Sequence, residues 1–194
     1  MKQKKSFLGC WLIYCVLLLP VGCATTPASP DYTSQQMDFS AVRTVAVLPF
    51  LNLSPDDQAG VRVRDAFMGM LLATEAIYVL PPGEVARGIN LVGMRTPETP
   101  TIEEITKFLA LLEVDAVITG VLREYGAVRS GSAEANLLSL SLQMSETQTG
   151  ITVWSASSTK GGISMSDRML GSGGQPMNDV TIEAINDLLD QLFE

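Results

Sequence analysis

The sequence predicts an α/β fold with some α+β character, built on a single mixed β-sheet. In the first half, short β-branched apolar runs alternate with amphipathic segments, which is typical of parallel strands joined by helical crossovers. In the second half, apolar and polar residues alternate strictly, which is typical of antiparallel strands with one wet face. The predicted order is therefore a β-α-β-α-β start, an antiparallel meander and a C-terminal helix.

A secretory leader is predicted before the domain. Lysines at positions 2, 4 and 5 precede an uncharged apolar run from Phe7 to Val21, and Gly22 then precedes Cys23. A basic start, an apolar stretch and a small residue at the cut are typical of a signal peptide. About 16 apolar residues are short for a membrane span, which needs ~20. We predict a signal peptide at 1–22, a flexible tether rich in Pro, Thr and Ser at 23–41, and one domain at 42–194.

Charge and composition limit the function classes. Loss of residues 1–22 removes three of the 13 basic residues and none of the 21 acidic residues, so the net charge changes from −8 to −11. An acidic surface repels phosphate backbones, and nucleic acid is therefore not expected as a partner. The chain has no histidine, which excludes a histidine base or metal ligand. We expect no cofactor, and with Cys23 as the only remaining cysteine we expect no internal disulfide.

The first half of the domain contains three predicted strands. Each is short, rich in β-branched residues and bounded by turn or helix signals; they are Thr44–Phe50, Ile77–Leu80 and Val114–Tyr125. Gly120 inside the third strand predicts a bulge or a close approach of another group. A first helix is predicted over Ala59–Thr74, and a second begins at Thr101, which forms a capping box with Glu104. Residues 84–87 are predicted to form at most one helical turn, and residues 88–100 a loop.

The second half is predicted to be a meander followed by a helix. Leu138, Leu140, Leu142 and Met144 alternate with serines and a glutamine, which predicts one buried and one solvated face. The remaining predicted segments are a hairpin turn at Thr147–Gly150, a return strand at Ile151–Ser157, a mobile Gly- and Met-rich stretch at Lys160–Met177 and a last helix at Asn178–Phe193.

Two acidic residues are weak candidates for metal binding. Asp56 and Asp57 follow the first strand, and open α/β sheets bind ligands beyond that end of their strands. No third oxygen ligand lies nearby in the sequence, so we favour a solvated turn before the helix. A glycine run at 171–174 lacks the preceding strand and the Lys-Ser/Thr pair of a phosphate-binding loop, which favours a flexible loop.

Trp154 and the Gly- and Met-rich stretch are the candidate contacts with a partner or a second subunit. Since Val153 is a natural core residue, strand alternation would turn Trp154 to the opposite face. If a helix covers that face, the indole belongs to the core; if none does, it forms a contact site. The stretch adds flexible apolar side chains and glycines suited to an adaptable contact, namely Met165, Met169, Gly171 and Gly173.

Three segments resemble one known group of proteins. They are VAVLPFLNLSPDDQAG at 45–60, DAVITGV at 115–121 and TGITVW at 149–154. These segments resemble the periplasmic lipoprotein domains related to the amino-terminal domain of TolB. That group includes the curli secretion channel CsgG, the peptidoglycan synthase activator LpoB and PelC of a polysaccharide exporter. The leader likewise resembles a bacterial lipoprotein signal, which implies that Cys23 is lipidated, and Ala24 after it implies the periplasmic face of the outer membrane.

From the residues and this resemblance we expect a non-catalytic, lipid-anchored periplasmic protein. Its expected role is that of a component of an outer-membrane export or envelope-assembly machine, with envelope or export proteins as partners and with possible homo-oligomers. One alternative is an activator that docks onto a cell-wall synthase. A second, from another class, is a metal-dependent enzyme that uses Asp56 and Asp57.

Overall fold

The computed structural model describes residues 31–34, 41–146, 149–163 and 174–193. These residues form seven strands and four helices. The strands are β1 (Tyr32–Thr33), β2 (Thr44–Val47), β3 (Leu51–Asn52), β4 (Tyr78–Val79), β5 (Ala116–Ser130), β6 (Ala133–Glu146) and β7 (Thr152–Gly161). The helices are α1 (Ala59–Ala73), α2 (Pro82–Val92), α3 (Ile102–Leu112) and α4 (Met177–Phe193).

The strands form one mixed sheet in the order β1-β7-β6-β5-β2-β4, and β3 pairs with β5 beyond the end of β2. Strand β2 runs parallel to both β4 and β5. Strands β5, β6 and β7 form the predicted antiparallel meander. The predicted fold class, a mixed sheet with parallel crossovers in its first half and a C-terminal helix, is confirmed.

Helices cover the two faces of the sheet unequally. On one face, α1 and α4 pack over a core that extends across β2, β5, β6 and β7. The alternating run of β6 points into this core as predicted, because Leu138, Leu140, Leu142 and Met144 are all fully buried. On the other face, α2 and α3 pack over β2 and the start of β5 and bury a smaller cluster. Among the residues that the structure describes, no helix covers the antiparallel half of that second face.

Helix α2 replaces most of the predicted loop at 88–100. Pro82 stands at the beginning of the helix, where its missing N–H costs nothing, and Gly93 ends it in the left-handed conformation (φ 76°). A methyl group added at Gly88 would lie 2.7 Å from Cδ1 of Leu112 in α3. The glycine that weakened the helical pattern in the sequence thus permits close packing of α2 against α3.

The segment resembling known lipoproteins at 115–121 has a structural role at the start of the sheet. The carboxylate of Asp115 accepts hydrogen bonds from the backbone N–H groups of Arg43 and Thr44, both at 2.9 Å. This fixes the chain where it enters β2. In β5, a methyl group at Gly120 would lie 2.6 Å from the ring of Phe50, which confirms the predicted close approach. The motif therefore describes how β2 and β5 are joined.

The amino-terminal part of the described chain is tied to the sheet, although the sequence indicated a flexible tether over 23–41. Strand β1 pairs antiparallel with β7, Tyr32 opposite Ser155 and Thr33 opposite Trp154. The backbone N–H of Ser34 also donates to the carbonyl of Val153 at 2.8 Å. A two-residue strand in a Pro- and Ser-rich segment has no periodicity of its own, and its formation depends on the free edge of β7.

Candidate functional site

The open half of the second sheet face contains a groove of about 430 Å³. Its floor is formed by β5, β6 and β7, and one wall by α3 with the loop that precedes it. The floor residues are mostly small and polar, and they include Thr119, Val121, Ser141, Gln143, Ser145 and Thr152. We call this surface, together with the adjoining Ser139, Ser155, Ser157 and Thr159, the open face.

The open face is rich in the hydroxyl groups of serine and threonine side chains. The hydroxyl of Thr159 in β7 donates to that of Ser139 in β6 at 2.9 Å. Ser141, Ser155 and Ser157 are half-buried, although no helix of the described chain packs over them. Small side chains leave the backbone of the sheet close to the surface, so another polypeptide can approach it closely.

A β-bulge places one cation on the open face. The pairing of β5 with β6 shifts between Leu122 and Glu124, so that Arg123 is the additional residue. Bulges commonly re-aim a side chain. Here the guanidinium of Arg123 donates to the hydroxyl of Ser141 in the neighbouring strand. Arg123 and Glu98 are the charged residues that line the groove.

Two apolar side chains stand at the rim of the groove. Ile102 at the start of α3 is 58% exposed, and Ile151 before β7 is 51% exposed. Gly150 brings these segments together, since a methyl group there would lie 2.7 Å from the hydroxyl of Thr106 and 3.1 Å from Cγ2 of Ile102. The two isoleucines therefore form a small apolar patch beside the polar floor.

Trp154 is a core residue, and the hypothesis that its side chain forms a surface contact is wrong. Its pairing with Met144 is followed by a register shift, which makes Val153 the extra residue of a second bulge. The indole is 1% exposed and lies beneath α4, and its Nε1 donates to the carbonyl of Gln191 at 3.3 Å. The bulge buries Val153 as well, so simple alternation could not assign the two faces.

The aspartate pair is part of a turn held by local contacts. One carboxylate oxygen of Asp56 accepts from the backbone N–H of Gln58 at 3.0 Å, and the other is ion-paired with Arg62. The Arg62 guanidinium also lies 5.5 Å from the ring centre of Tyr125. Hydrogen bonds to Tyr125 and Asp56 raise the pKa of Arg62. Asp57 lines a second groove, of about 430 Å³, between the end of β2 and α1.

Among the described ranges, no group of three or more acidic or cysteine side chains is arranged to hold a metal ion. The second groove instead contains a cation, Arg64 of α1. Arg64 donates through Nε to the carbonyls of Val47 and Leu48, both at 3.1 Å. Burial lowers the pKa of this guanidinium. Arg64 therefore satisfies the backbone where β2 ends, a role that helical periodicity does not reveal.

Several predicted site residues lie outside the described part of the chain. They are Cys23, Met165, Met169, Gly171 and Gly173. The described residues on either side of the last four contact β6. The N–H of Gly162 donates to the backbone carbonyl of Asn136 at 2.7 Å, and the side-chain amide of Asn136 donates to the backbone carbonyl of Gln175 at 2.8 Å. In the described ranges, no helix has the length and apolarity needed to cross a membrane.

Several solved structures share this architecture. Two structures of PelC dodecamers from Paraburkholderia phytofirmans match with TM-scores of 0.58 and 0.55, at 15% and 13% identity. They cover 85% and 84% of this chain and 96% of their own. Lipoprotein GNA1162 from Neisseria meningitidis matches with a TM-score of 0.53 and 20% identity, over 77% of this chain and 97% of that one. No protein-family profile and no curated protein matches the sequence.

The chain has the PelC fold. The resemblance seen in the sequence is thus confirmed for the fold, and at these identities the likeness extends no further. The C-terminal domain of LpoB from Salmonella enterica matches more weakly, with a TM-score of 0.49 at 12% identity, over 65% of this chain and 86% of that one. The likeness to CsgG stays a prediction.

Proposed function

We propose that this chain is a non-catalytic, lipid-anchored envelope protein that works by self-association as a component of an outer-membrane export or envelope-assembly machine. The observation that carries this proposal is the open face: half of one side of the sheet lacks a covering layer within the described chain. The PelC structures that share the fold are dodecamers. An uncovered sheet face in such a fold supports a contact between subunits.

The chemistry of the open face supports binding and not turnover. A serine becomes a nucleophile when a neighbouring base accepts its proton. The hydroxyl of Ser141 instead accepts a hydrogen bond from Arg123, and a guanidinium has no acceptor capacity. The Asp56 carboxylate is ion-paired with Arg62, and its contacts hold a turn together.

The proposed anchor attaches close to the sheet. Cys23 precedes Asp31 by eight residues, which reach at most about 26–29 Å when fully extended. Because β1 is paired to β7, the free length between lipid and domain is shorter than a tether over 23–41 would give. Each copy would then stay near one membrane plane, where a high local concentration allows a modest contact to hold an assembly together.

Replacing Cys23 with Ser is expected to abolish acylation and to move the protein from the membrane fraction to the soluble fraction. Cys23 is the only cysteine after Gly22, so its thiol is the only one in that part of the chain to which a lipid can be attached through a thioether. Without acyl chains, each of which contributes about 0.8 kcal/mol per buried CH₂, the membrane affinity is lost. Palmitate labelling and fractionation of intact cells measure both effects.

The matched control is Cys15→Ser, since Cys15 lies within the predicted leader and should not affect labelling. Circular dichroism should show that the Cys23 variant is folded, because Cys23 precedes the predicted domain at 42–194. Persistent palmitate label in the Cys23 variant would show that the lipoprotein part of the proposal is wrong.

A further inference from the structure

We propose that the open face receives the outer surface of helix α4 from a second copy of this chain. The inference rests on the proposed self-association and names the two surfaces that meet. It starts from the uneven layers of the fold: α1 and α4 pack over one side of the sheet across β2, β5, β6 and β7, whereas α2 and α3 cover only the parallel half of the other. A helix from a neighbouring copy would complete the missing layer.

The outer surface of α4 exposes both apolar and polar side chains. Its inner side packs on β6 and β7, but Ile182 is 41% exposed and Phe193 is 46% exposed. These two residues are eleven positions apart, about three helical turns, and therefore lie on one side of the helix. The surrounding exposed side chains are polar or acidic, namely Asp179, Glu183, Asn186 and Asp190.

One cation of the open face can pair with the acidic surface of α4. Helix α4 contains no basic residue, and its exposed carboxylates have no cation on the same helix. One further carboxylate, that of Asp187, is already bound to Lys160 at 3.1 Å and to the hydroxyl of Ser158 at 2.5 Å. On the open face, the bulge directs Arg123 outward at the surface of the sheet, where Glu98 lines the same groove and Glu124 is paired with Ser139. The charge pair with α4 therefore depends on Arg123 alone. An Arg–carboxylate pair across the contact would be a charge-assisted hydrogen bond.

The apolar side chains also correspond. Ile102 and Ile151 stand at the rim of the groove, and Ile182 and Phe193 stand on the helix that would enter it. The serine-lined floor offers room for the helix, since its side chains are small. Burying these four exposed residues between copies would remove apolar surface from water at the edges of the contact.

The geometry also implies the kind of assembly. The open face and α4 lie on opposite sides of the same sheet, so one copy can use both surfaces at once. Contacts between two different surfaces are head-to-tail, and they produce closed rings or open filaments, not isolated dimers. A series of more than two subunits is therefore the expected product.

The test is thiol cross-linking of the full-length chain in intact membranes. Ser141→Cys on the open face is combined with Ile182→Cys on α4, and a short bis-maleimide reagent is added. We expect a ladder of dimers and larger species with the pair, and only dimers or none with either single variant. A matched control pair, Ser132→Cys with Ile182→Cys, moves the first thiol to the exposed β5–β6 turn and should give no ladder.

The outcomes separate this inference from the proposed function. No ladder with the pair, while the wild-type chain keeps an oligomeric mass, would overturn the α4 contact and leave self-association standing. An equal ladder from the control pair would reveal chance collision and would also overturn it. A wild-type chain that is monomeric in membranes would overturn both proposals.

A charge exchange gives a second readout that does not depend on thiol geometry. Arg123→Glu should reduce the fraction of higher species by several-fold, and adding Glu183→Arg should restore it. Both positions are exposed, so folding should be unaffected and circular dichroism can verify it. Unchanged assembly in the Arg123 variant would contradict the proposed contact, even if the cross-linking variants failed to accumulate.

Discussion

Replacing Trp154 with Ala is expected to lower the free energy of unfolding by about 3–5 kcal/mol. The indole is 1% exposed beneath α4, and its removal would leave a cavity in the main core. It would also remove the hydrogen bond from Nε1 to the carbonyl of Gln191, which ties the helix to β7. Urea unfolding followed by circular dichroism measures the change.

Two control variants separate the contributions. Trp154→Phe keeps much of the apolar volume and loses the hydrogen bond, so its cost should be clearly smaller. Tyr32→Ala removes an aromatic ring that is 55% exposed on the neighbouring strand and should change stability little. If Trp154→Ala left stability unchanged but weakened self-association, the surface-contact interpretation would be right and the burial described above would be wrong.

Replacing Leu140 with Ala is expected to lower the free energy of unfolding by about 2–5 kcal/mol. Leu140 is fully buried in the middle of β6 and faces α4 across the main core. The adjacent Ser141 points to the open face, so Ser141→Ala should have little effect on stability. After removal of residues 1–22, Trp154 is the only tryptophan, and its fluorescence can report unfolding in both variants.

Leu140 and Ser141 are adjacent in β6, and their side chains lie on opposite faces of the sheet. The two variants therefore differ mainly in which face loses side-chain atoms. Equal, small effects at the two positions would contradict the assignment of β6 faces. A large effect of Ser141→Ala alone would show that the open face is buried within the single chain.

Elements with a clear hydrophobic period could be predicted from the sequence. The alternation of Leu138 to Met144 identified β6 and its buried face, and Thr101 with Glu104 identified the start of α3. The capping box is present in both directions: the Thr101 N–H donates to the Glu104 carboxylate at 2.8 Å, and the Glu104 N–H donates to the Thr101 hydroxyl at 3.3 Å. Local chemistry sufficed in these cases, because each signal lies within one turn or one strand.

Elements that depend on distant contacts could not be predicted. The pairing of Tyr32 and Thr33 requires the edge of β7, which is more than a hundred residues away. Helix α2 contains two glycines that lower helical propensity, and packing of Gly88 against α3 compensates. The bulge at Val153 changed the face of Trp154, and strand alternation gives no sign of a bulge.

The sequence predicted only part of the candidate site. The serines of β6 indicated a solvated strand face, but they did not show that the neighbouring strands continue it. The extent of the open face depends on where α2 and α3 end over the sheet, and the position of Arg123 on it depends on a bulge. The sequence therefore predicted a binding protein, and the arrangement of helices indicates where the proposed binding surface lies.

Self-association can be tested by the mass of the wild-type, full-length chain after cross-linking in intact cells and gentle extraction from membranes. We expect discrete species larger than a dimer, which disappear when Cys23→Ser releases the chain from the membrane plane. Monomers alone, at the same expression level and with a reagent that cross-links a known oligomer in the same cells, would contradict self-association and with it the proposed role.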